Sequence, residues 1–263
     1  MKQIGLFLLF LSCFFSFVHA AHPVKEKVVT VVYADYWKPY SYISANGEVK
    51  GILVEVMDEI LSKKLNMKVK HTGQPWKRAQ NSVRGGFQDA MITAPTTSRL
   101  KYSQSTSNNL YYLQWRVFVS KKSLNYHSIM KMKDPLKERN LSFISLLGDR
   151  TSERLYENND IKYKSVKDIS NAIKMLDLGR VDIFIHSKII MFEHLNKMNL
   201  NKNISMHDKE YKSIAFTFLV SQKSAFYDDL IFKIDEVVNE MKANNTYKKF
   251  IEDIEQNNLE LGE

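Results

Sequence analysis

A polar loop that ends on Arg99 is the part of the sequence best suited to bind a charged group. The loop, residues 93–99, follows a short apolar strand at 89–92 and a helix that begins at Pro75. Loops at the carboxyl ends of strands bind ligands in open α/β sheets. The arginine guanidinium keeps its charge and offers a planar fork to a carboxylate or phosphate. We therefore predict that Arg99 contacts an anionic ligand, with a surface arginine at a helix end as the alternative.

Aromatic residues near this loop could cover the apolar part of the same ligand. Trp37 follows the end of the first predicted strand, and Trp76 lies at the start of a predicted helix. Each could instead pack in the core, as tryptophan commonly does, and packing is the prediction for Tyr36 and Tyr40. Arg78 lies one position from the apolar stripe of its helix, so it could contact the ligand or point to solvent.

Few residues could carry out a reaction. The sequence has no Ser-His-Asp signature, HExxH motif or phosphate-binding loop, and its histidines lack metal-ligand spacing. Glu153, Asp149 and His186 are the acid–base candidates nearest the predicted cleft. We predict no catalytic residue, no metal ion and no cofactor.

The first twenty residues have the three parts of a secretory signal. Lys2 precedes an apolar run at residues 4–18, and Val18-His19-Ala20 is close to the small-x-Ala pattern of a signal-peptidase site. The run is too short for a comfortable membrane span. We predict a signal peptide at 1–20 that is cleaved after Ala20, with an uncleaved anchor as the alternative. The mature periplasmic protein would then have no cysteine, because Cys13 lies in this segment.

The chain is basic, with a net charge of +9 over 263 residues. Its lysines are scattered, with pairs such as Lys63-Lys64 but no long basic run, so the charge favours a solvated surface over a nucleic-acid site. About 240 residues remain after the signal, enough for one large domain or two lobes.

Predicted strands alternate with predicted helices, which indicates mostly parallel sheets. Two such α/β units are followed by a strand and two helices, so the chain is expected to return to its first half. We predict two lobes, with hinges near 118–121 and 212–214. One predicted helix spans 53–65, and another starts from a cap at Ser165. No internal repeat is visible in the sequence.

Four motifs follow one another along the mature chain. They are Asp35 with the aromatics up to Pro39-Tyr40, the segment 47–56 with its two glycines, the G-x-x-D-A pattern at 86–90 with the loop to Arg99, and the G-x-x-D pattern of 179–182. In this order, behind a signal peptide, they resemble the family 3 extracytoplasmic solute-binding proteins, the polar amino-acid receptors of ABC importers.

The resemblance implies an α/β fold of two lobes, the type II periplasmic-binding-protein fold. Each lobe is a mostly parallel sheet flanked by helices, and two hinge crossings let the lobes close on a ligand. Mapped onto this chain, the resemblance implies a first lobe at 26–118, a second lobe at 119–213 and a return to the first lobe at 214–257. In this family the arginine at the position of Arg99 binds the α-carboxylate of the ligand, and the helix start at 148–152 offers backbone N–H groups to the same carboxylate. The predicted ligand-binding residues are Arg99, Trp37, Trp76, Arg78, Thr93, Arg150, Thr151, His186 and Ser187.

Two departures from the family pattern bear on the ligand. Ile92 and Ala94 replace small polar residues just before the arginine loop. Ser187, with His186 beside it, stands where an aspartate usually holds the α-ammonium group. The resemblance therefore implies that the acid-binding side of the site is kept and the amine-binding side is lost.

The function implied is that of a monomeric binding protein rather than an enzyme. It would close on a small carboxylate-bearing polar solute, such as an amino acid or a related acid, and deliver it to an ABC permease in the inner membrane. One alternative is a periplasmic enzyme on the same scaffold, for example a dehydratase of a small carboxylic acid. Another is a ligand sensor that touches a membrane receptor.

Overall fold

The computed structural model describes residues 27–260, and the predicted signal peptide lies outside them. Its first part is a β-α-β-α-β unit with a small accessory sheet. The elements are β1 (Val28–Ala34), β2 (Tyr36–Trp37), β3 (Ser41–Ile43), β4 (Val49–Lys50), α1 (Ile52–Met57) continued by a π-helix (Asp58–Lys64), β5 (Lys68–Gln74), α2 (Trp76–Gly85), β6 (Ala90–Thr93), α3 (Thr97–Leu100) and β7 (Ser103–Ser105).

A long strand then leads into a second β-α-β-α-β unit, and another long strand leads back. The elements are β8 (Tyr111–Ser120), α4 (Tyr126–Lys131), a 3₁₀ turn (Pro135–Lys137), β9 (Phe143–Leu146), α5 (Arg150–Glu157), β10 (Tyr163–Val166), α6 (Ile169–Asp177), β11 (Ile183–Ser187), α7 (Lys188–Lys197), β12 (Ile204–Ser221), α8 (Leu230–Ala243) and α9 (Thr246–Glu260). Among the helices of residues 27–260, none has the length and apolar character needed to cross a membrane.

One sheet runs through the whole molecule, in the order β10-β9-β11-β8-β12-β6-β1-β5. The three strands at each end are parallel to one another, with β1 between β5 and β6, and β9 between β10 and β11. The long strands β8 and β12 pair antiparallel in the middle. From either edge of the sheet, three parallel strands are followed by one long antiparallel strand. We call the β5-β1-β6 end the first lobe and the β10-β9-β11 end the second lobe.

Each lobe has its own apolar core. Helices α1, α8 and α9 pack on the first-lobe sheet, whereas α6 and α7 on one face and α4 and α5 on the other cover the second-lobe sheet. The start of α7 is the exception: Ile189 is buried in the first-lobe core and Ile190 packs against it, while later residues of the helix pack in the second lobe. Burial of an isoleucine side chain stabilises by about 1.5–3 kcal/mol. Helix α7 is therefore held by both lobes.

The same aspartate contact closes the start of the parallel sheet in each lobe. Asp89 accepts hydrogen bonds from the backbone N–H and the hydroxyl of Thr30 at 2.8 and 2.6 Å. Asp182 accepts the equivalent pair from Ser142 at 2.9 and 2.7 Å. The backbone N–H of each aspartate donates a hydrogen bond to that same hydroxyl group. We call these contacts the aspartate bridges; they are the structural role of the two G-x-x-D motifs.

Two predicted helices differ from the structure. The helix predicted over 53–65 is α1 followed by the π-helix Asp58–Lys64. Ser165 does not cap a helix, because it lies in β10 and pairs in parallel with β9. The chain turns only after this strand ends, so Asp168 is the cap of α6, and its side chain accepts a hydrogen bond from the backbone N–H of Asn171 at 2.9 Å.

Candidate functional site

A cavity of about 450 Å³ lies where β1 and β6 end in the first lobe. Its size falls in the range of about 300–1,000 Å³ that is usual for small-molecule sites. The carboxyl ends of parallel strands are also where open α/β sheets bind ligands. The lining residues are Tyr33, Ala34, Tyr36, Trp37, Ser41, Leu53, Trp76, Ile92, Thr93, Ala94, Arg99, Leu113, Ile214 and Phe216.

Arg99 is positioned by α3, the short helix that follows β6. Its Nε donates to Oε1 of Gln80 at 3.2 Å, and its Nη1 donates to the carbonyl of Ala94 at 2.8 Å. The guanidinium carbon lies 5.2 Å from the ring centre of Trp76, in cation–π range. Burial lowers the pKa of Arg99, but an arginine is basic enough to keep its charge. The cavity therefore contains a fixed cation.

The two tyrosines that were expected to pack behave differently. Tyr40 is buried, with its ring centre 4.6 Å from that of Trp37. Tyr36 is 96% exposed although it lines the cavity, so it lies at the mouth and the packing prediction is wrong for it. The reason is alternation along β2: neighbouring side chains of a strand point to opposite sides, and Trp37 takes the inner side, 5.8 Å from the ring of Phe216.

The second-lobe helix start does not line this cavity. Arg150 is exposed, and its Nη1 lies 3.3 Å from Oε2 of Glu153. The backbone N–H groups of Thr151 and Ser152 donate to Oδ1 of Asp149, the N-cap residue of α5, at 3.2 and 3.3 Å. The N–H groups that the resemblance assigns to a ligand carboxylate are thus already bonded to a carboxylate of this chain.

His186 and Asp149 form a hydrogen-bonded pair in the second lobe. Nδ1 of His186 lies 2.9 Å from Oδ2 of Asp149, and the imidazole stacks on the ring of Phe184 with centres 5.3 Å apart. Burial by itself raises the pKa of Asp149, but the hydrogen bond and charge of His186, together with Ser152, outweigh it and hold the pKa below its usual value. The histidine is 8% exposed.

Ser187 connects the two lobes rather than lining the cavity. Its Oγ lies 2.7 Å from the hydroxyl of Tyr40, and both residues are buried. Next to this contact, Glu255 accepts hydrogen bonds from the Tyr111 hydroxyl at 2.8 Å and from Nζ of Lys188 at 2.6 Å. The start of α7 is therefore bonded to residues of the first lobe.

The structure brings together four of the nine predicted binding residues. Arg99, Trp37, Trp76 and Thr93 line the cavity; Arg150, Thr151, His186 and Ser187 do not, and Arg78 is exposed on α2. Between residues 27 and 260, no group of three or more histidine, cysteine, aspartate or glutamate side chains could hold a metal ion.

Several residues that line the cavity or hold Arg99 were not predicted from the sequence. Gln80, which holds Arg99, follows Trp76 by one helical turn, and that i,i+4 spacing could have shown it. Leu113, Ile214 and Phe216 come from the long strands, far from the loop in sequence. No local pattern connects them with Arg99.

Comparison with protein families gives one match that covers most of the chain. The model of "Bacterial extracellular solute-binding proteins, family 3" matches residues 29–254. Among curated proteins, the probable amino-acid-binding protein YxeM of Bacillus subtilis is 24% identical over 219 residues, 81% of this chain and 78% of that protein. The L-cystine-binding protein TcyA of the same species is 25% identical over 229 residues, 86% and 80% of the two chains.

Solved structures share the fold at low identity. The second substrate-binding domain of a putative amino acid ABC transporter from Streptococcus pneumoniae superposes with a TM-score of 0.69 at 16% identity, covering 85% of this chain and 98% of that one. An ancestral cyclohexadienyl dehydratase superposes with a TM-score of 0.61 at 18% identity, covering 87% and 92%. The predicted two-lobed α/β fold is confirmed.

Proposed function

The chain belongs to the bacterial extracellular solute-binding proteins of family 3, and we propose that it binds a small carboxylate-bearing solute, an amino acid or a related acid, and presents it unchanged to an ABC permease. The observation that carries the proposal is the position of Arg99. Among the described residues that line the cavity, it is the one charged side chain. An apolar cavity with a few convergent polar groups is the usual form of a small-molecule site.

The Arg99 guanidinium has capacity left for a ligand. Gln80 and Ala94 engage its Nε and Nη1, and within residues 27–260 no hydrogen-bond acceptor is found for Nη2. A carboxylate at this edge would form charge-assisted hydrogen bonds, which are stronger than neutral ones. The relatives named for amino-acid binding and L-cystine binding support a solute of this class.

Closure of the two lobes would complete the site. We infer that the segments 26–118 and 214–257 move as one lobe and 119–213 as the other, with hinges near 118–121 and 212–214. The register between β8 and β12 shifts between Met206 and Glu210 and again between Glu210 and Lys212. Such irregularities interrupt the ladder locally, and they support bending next to the proposed hinge at 212–214. Small-angle scattering should show a smaller molecule with saturating ligand; identical curves would contradict closure.

The binding proposal is tested by calorimetry on three proteins. Native mass spectrometry of protein purified from cells that export it first identifies the bound ligand. The ligand is then titrated into wild type, Arg99→Ala and Arg84→Ala. Arg84 is a matched control, because it is an exposed arginine over an aromatic ring, that of Tyr102 at 4.9 Å, outside the cavity. We expect loss of affinity in Arg99→Ala alone. Equal affinity in all three proteins would remove Arg99 from the site.

Export to the periplasm belongs to the same proposal. The predicted signal at 1–20 lies outside the described residues, so the support comes from the sequence pattern and from the family. Mass spectrometry of protein from the exporting compartment should find Ala21 at the N-terminus. A mature protein that keeps Met1, or one that begins with a lipidated Cys13, would contradict cleavage after Ala20.

A periplasmic enzyme is the second candidate, favoured by the pair of His186 and Asp149. A carboxylate that orients an imidazole is the usual arrangement of a general base, and an ancestral dehydratase shares the fold. Neither residue lines the cavity, however. Recovery of the co-purified ligand unchanged after long incubation would support binding alone, whereas a new product that disappears in His186→Ala would support catalysis.

A further inference from the structure

The wall of the cavity is unusually rich in aromatic rings for a site that binds a polar solute. Tyr33, Tyr36, Trp37, Trp76 and Phe216 all contribute to it. Each aromatic side chain offers a large surface that is best covered by another flat or apolar group. Tyr36, at the mouth, is almost entirely exposed and has such a surface free. A small hydroxylated amino acid would leave most of these rings in contact with water.

No carboxylate of the cavity wall could pair with an ammonium group. The lining contains no aspartate or glutamate within residues 27–260. Asp35 lies between two lining residues, but its Cβ lies beside Gly73 and it does not line the cavity. In the second lobe, the Asp149 carboxylate contacts Thr151, Ser152 and His186. An ammonium group enclosed near Arg99 would thus be an unpaired charge, which is costly to bury.

Arg99, by contrast, is already positioned to bind one anionic group. The Arg99 guanidinium is fixed by Gln80 and Ala94 and lies over the Trp76 ring, while its Nη2 is open. A side chain held in this way loses little freedom when it binds a carboxylate. The cavity therefore combines one fixed cation with an aromatic wall.

From this combination we propose the chemical class of the solute: a monoanionic acid with an aromatic or other flat apolar body and no requirement for an α-ammonium group. The inference rests on the proposed function and narrows it. The anionic group pairs with Arg99, the flat body lies against the aromatic wall, and Tyr36 covers the body at the mouth.

Matched probes separate the parts of this proposal. We suggest calorimetry with 3-phenylpropanoate, L-phenylalanine and 2-phenylethylamine, which share one ring and one chain length, together with propanoate, L-serine and L-glutamine. We expect 3-phenylpropanoate to bind at least as tightly as L-phenylalanine, and 2-phenylethylamine not to bind. Because burial of a phenyl ring is strongly favourable, 3-phenylpropanoate should bind at least about tenfold more tightly than propanoate or L-serine.

Two variants test the aromatic wall without disturbing the core. Tyr36→Ala removes an exposed ring at the mouth and should weaken 3-phenylpropanoate binding about tenfold, with a much smaller effect on propanoate. Phe87→Ala is the matched control, because Phe87 is an exposed aromatic residue that does not line the cavity. The Phe87→Ala variant should bind 3-phenylpropanoate and propanoate with the same affinity as wild type.

The outcomes distinguish this inference from the function on which it rests. Tighter, Arg99-dependent binding of L-serine or L-glutamine than of either phenyl acid would overturn the inference and leave the proposed function standing. An unchanged affinity of Tyr36→Ala for 3-phenylpropanoate would also overturn it. Failure of both phenyl acids to bind at millimolar concentration would likewise overturn the inference, whereas the proposed function is overturned only if the affinity for the co-purified ligand does not depend on Arg99.

Discussion

The hydroxyl group of Tyr40 lies 2.7 Å from Oγ of Ser187, although 147 residues separate them in sequence. Tyr40 belongs to the first lobe, and Ser187 ends the last parallel strand of the second. The position at which an amine-binding aspartate was expected therefore makes a contact between lobes. Burial raises the pKa of Tyr40 well above its ordinary value, so this hydroxyl stays protonated and can donate at neutral pH.

Tyr40→Phe should lower the free energy of unfolding by about 1–3 kcal/mol, because it leaves the buried Ser187 hydroxyl without its partner. Urea denaturation at neutral pH measures the change. Tyr42→Phe is the matched control: Tyr42 is partly exposed, and its hydroxyl has no hydrogen bond within residues 27–260. Equal stability of the two variants would show that the Tyr40 contact contributes nothing.

Arg99→Lys should weaken binding of the co-purified ligand, and Arg99→Ala should weaken it by about 2–5 kcal/mol. An ammonium group cannot reproduce the planar fork, and it would also lose the hydrogen bonds to Gln80 and Ala94 that fix the guanidinium. Stability should change little in both variants, because the side chain is only half-buried. Titration calorimetry gives the affinities. If lysine restored wild-type affinity, charge alone would be sufficient and the fork would be irrelevant.

The aspartate bridges should contribute independently to stability. Asp89→Asn and Asp182→Asn each replace a carboxylate that accepts a backbone and a hydroxyl hydrogen bond. We expect each to cost about 1.5–3 kcal/mol. Their partners are not shared, so the double variant should show the sum within about 0.5 kcal/mol.

Chemical denaturation of the two single variants and the double variant measures these terms. Asp228→Asn, at an exposed aspartate, controls for the loss of a charge. A double variant no less stable than either single variant would show that the bridges are not separate stabilising contacts.

Acid should weaken the fold partly through Asp149. Burial raises its pKa, but His186 and Ser152 more than offset this, so the folded-state pKa is below the usual value of about 3.9. A depressed carboxyl pKa adds stability that is present above the unfolded-state pKa and is lost as the pH falls through the folded-state pKa. The stability difference between wild type and Asp149→Asn should therefore shrink below about pH 4.

Urea denaturation at a series of pH values between neutrality and about pH 3 follows this difference. His186→Gln should reduce the same dependence, because it removes the partner that lowers the pKa. A difference that stays constant down to the lowest pH would show that ionisation of Asp149 does not contribute to stability.

The sequence predicted the fold well where patterns are local and repeated. Buried strands such as the one starting at Val28, and the polar loop before Arg99, have spacings that indicate their structure directly. It failed at Ser165, where a capping residue was expected but strand pairing with β9 decides the conformation. Pairing partners are distant in sequence, so no local window contains them.

The residues that line the cavity were predicted only where they lie near one another in sequence, for the same reason. Arg99, Trp76 and Trp37 lie close to strand ends and were found, whereas Phe216 reaches the cavity from a strand 117 residues after Arg99. The two G-x-x-D motifs showed the aspartates of the aspartate bridges but not their partners, which are Thr30 in one lobe and Ser142 in the other. Different residue types can make the same contact, so comparing the two halves of the sequence residue by residue does not show that the contact is shared.

The two cores differ in how much of the chain each of them needs. The second-lobe core is built from one continuous stretch, between Val117 and Ile204. The first-lobe core needs residues from Val29 to Leu113 together with residues from Phe216 to Ile254. A chain that is synthesised from its N-terminus can therefore complete the second-lobe core first. The first-lobe core can form only after the last helices have been synthesised. Contacts so distant in sequence form slowly, so the first lobe cannot complete its core until almost the whole length of the chain is available.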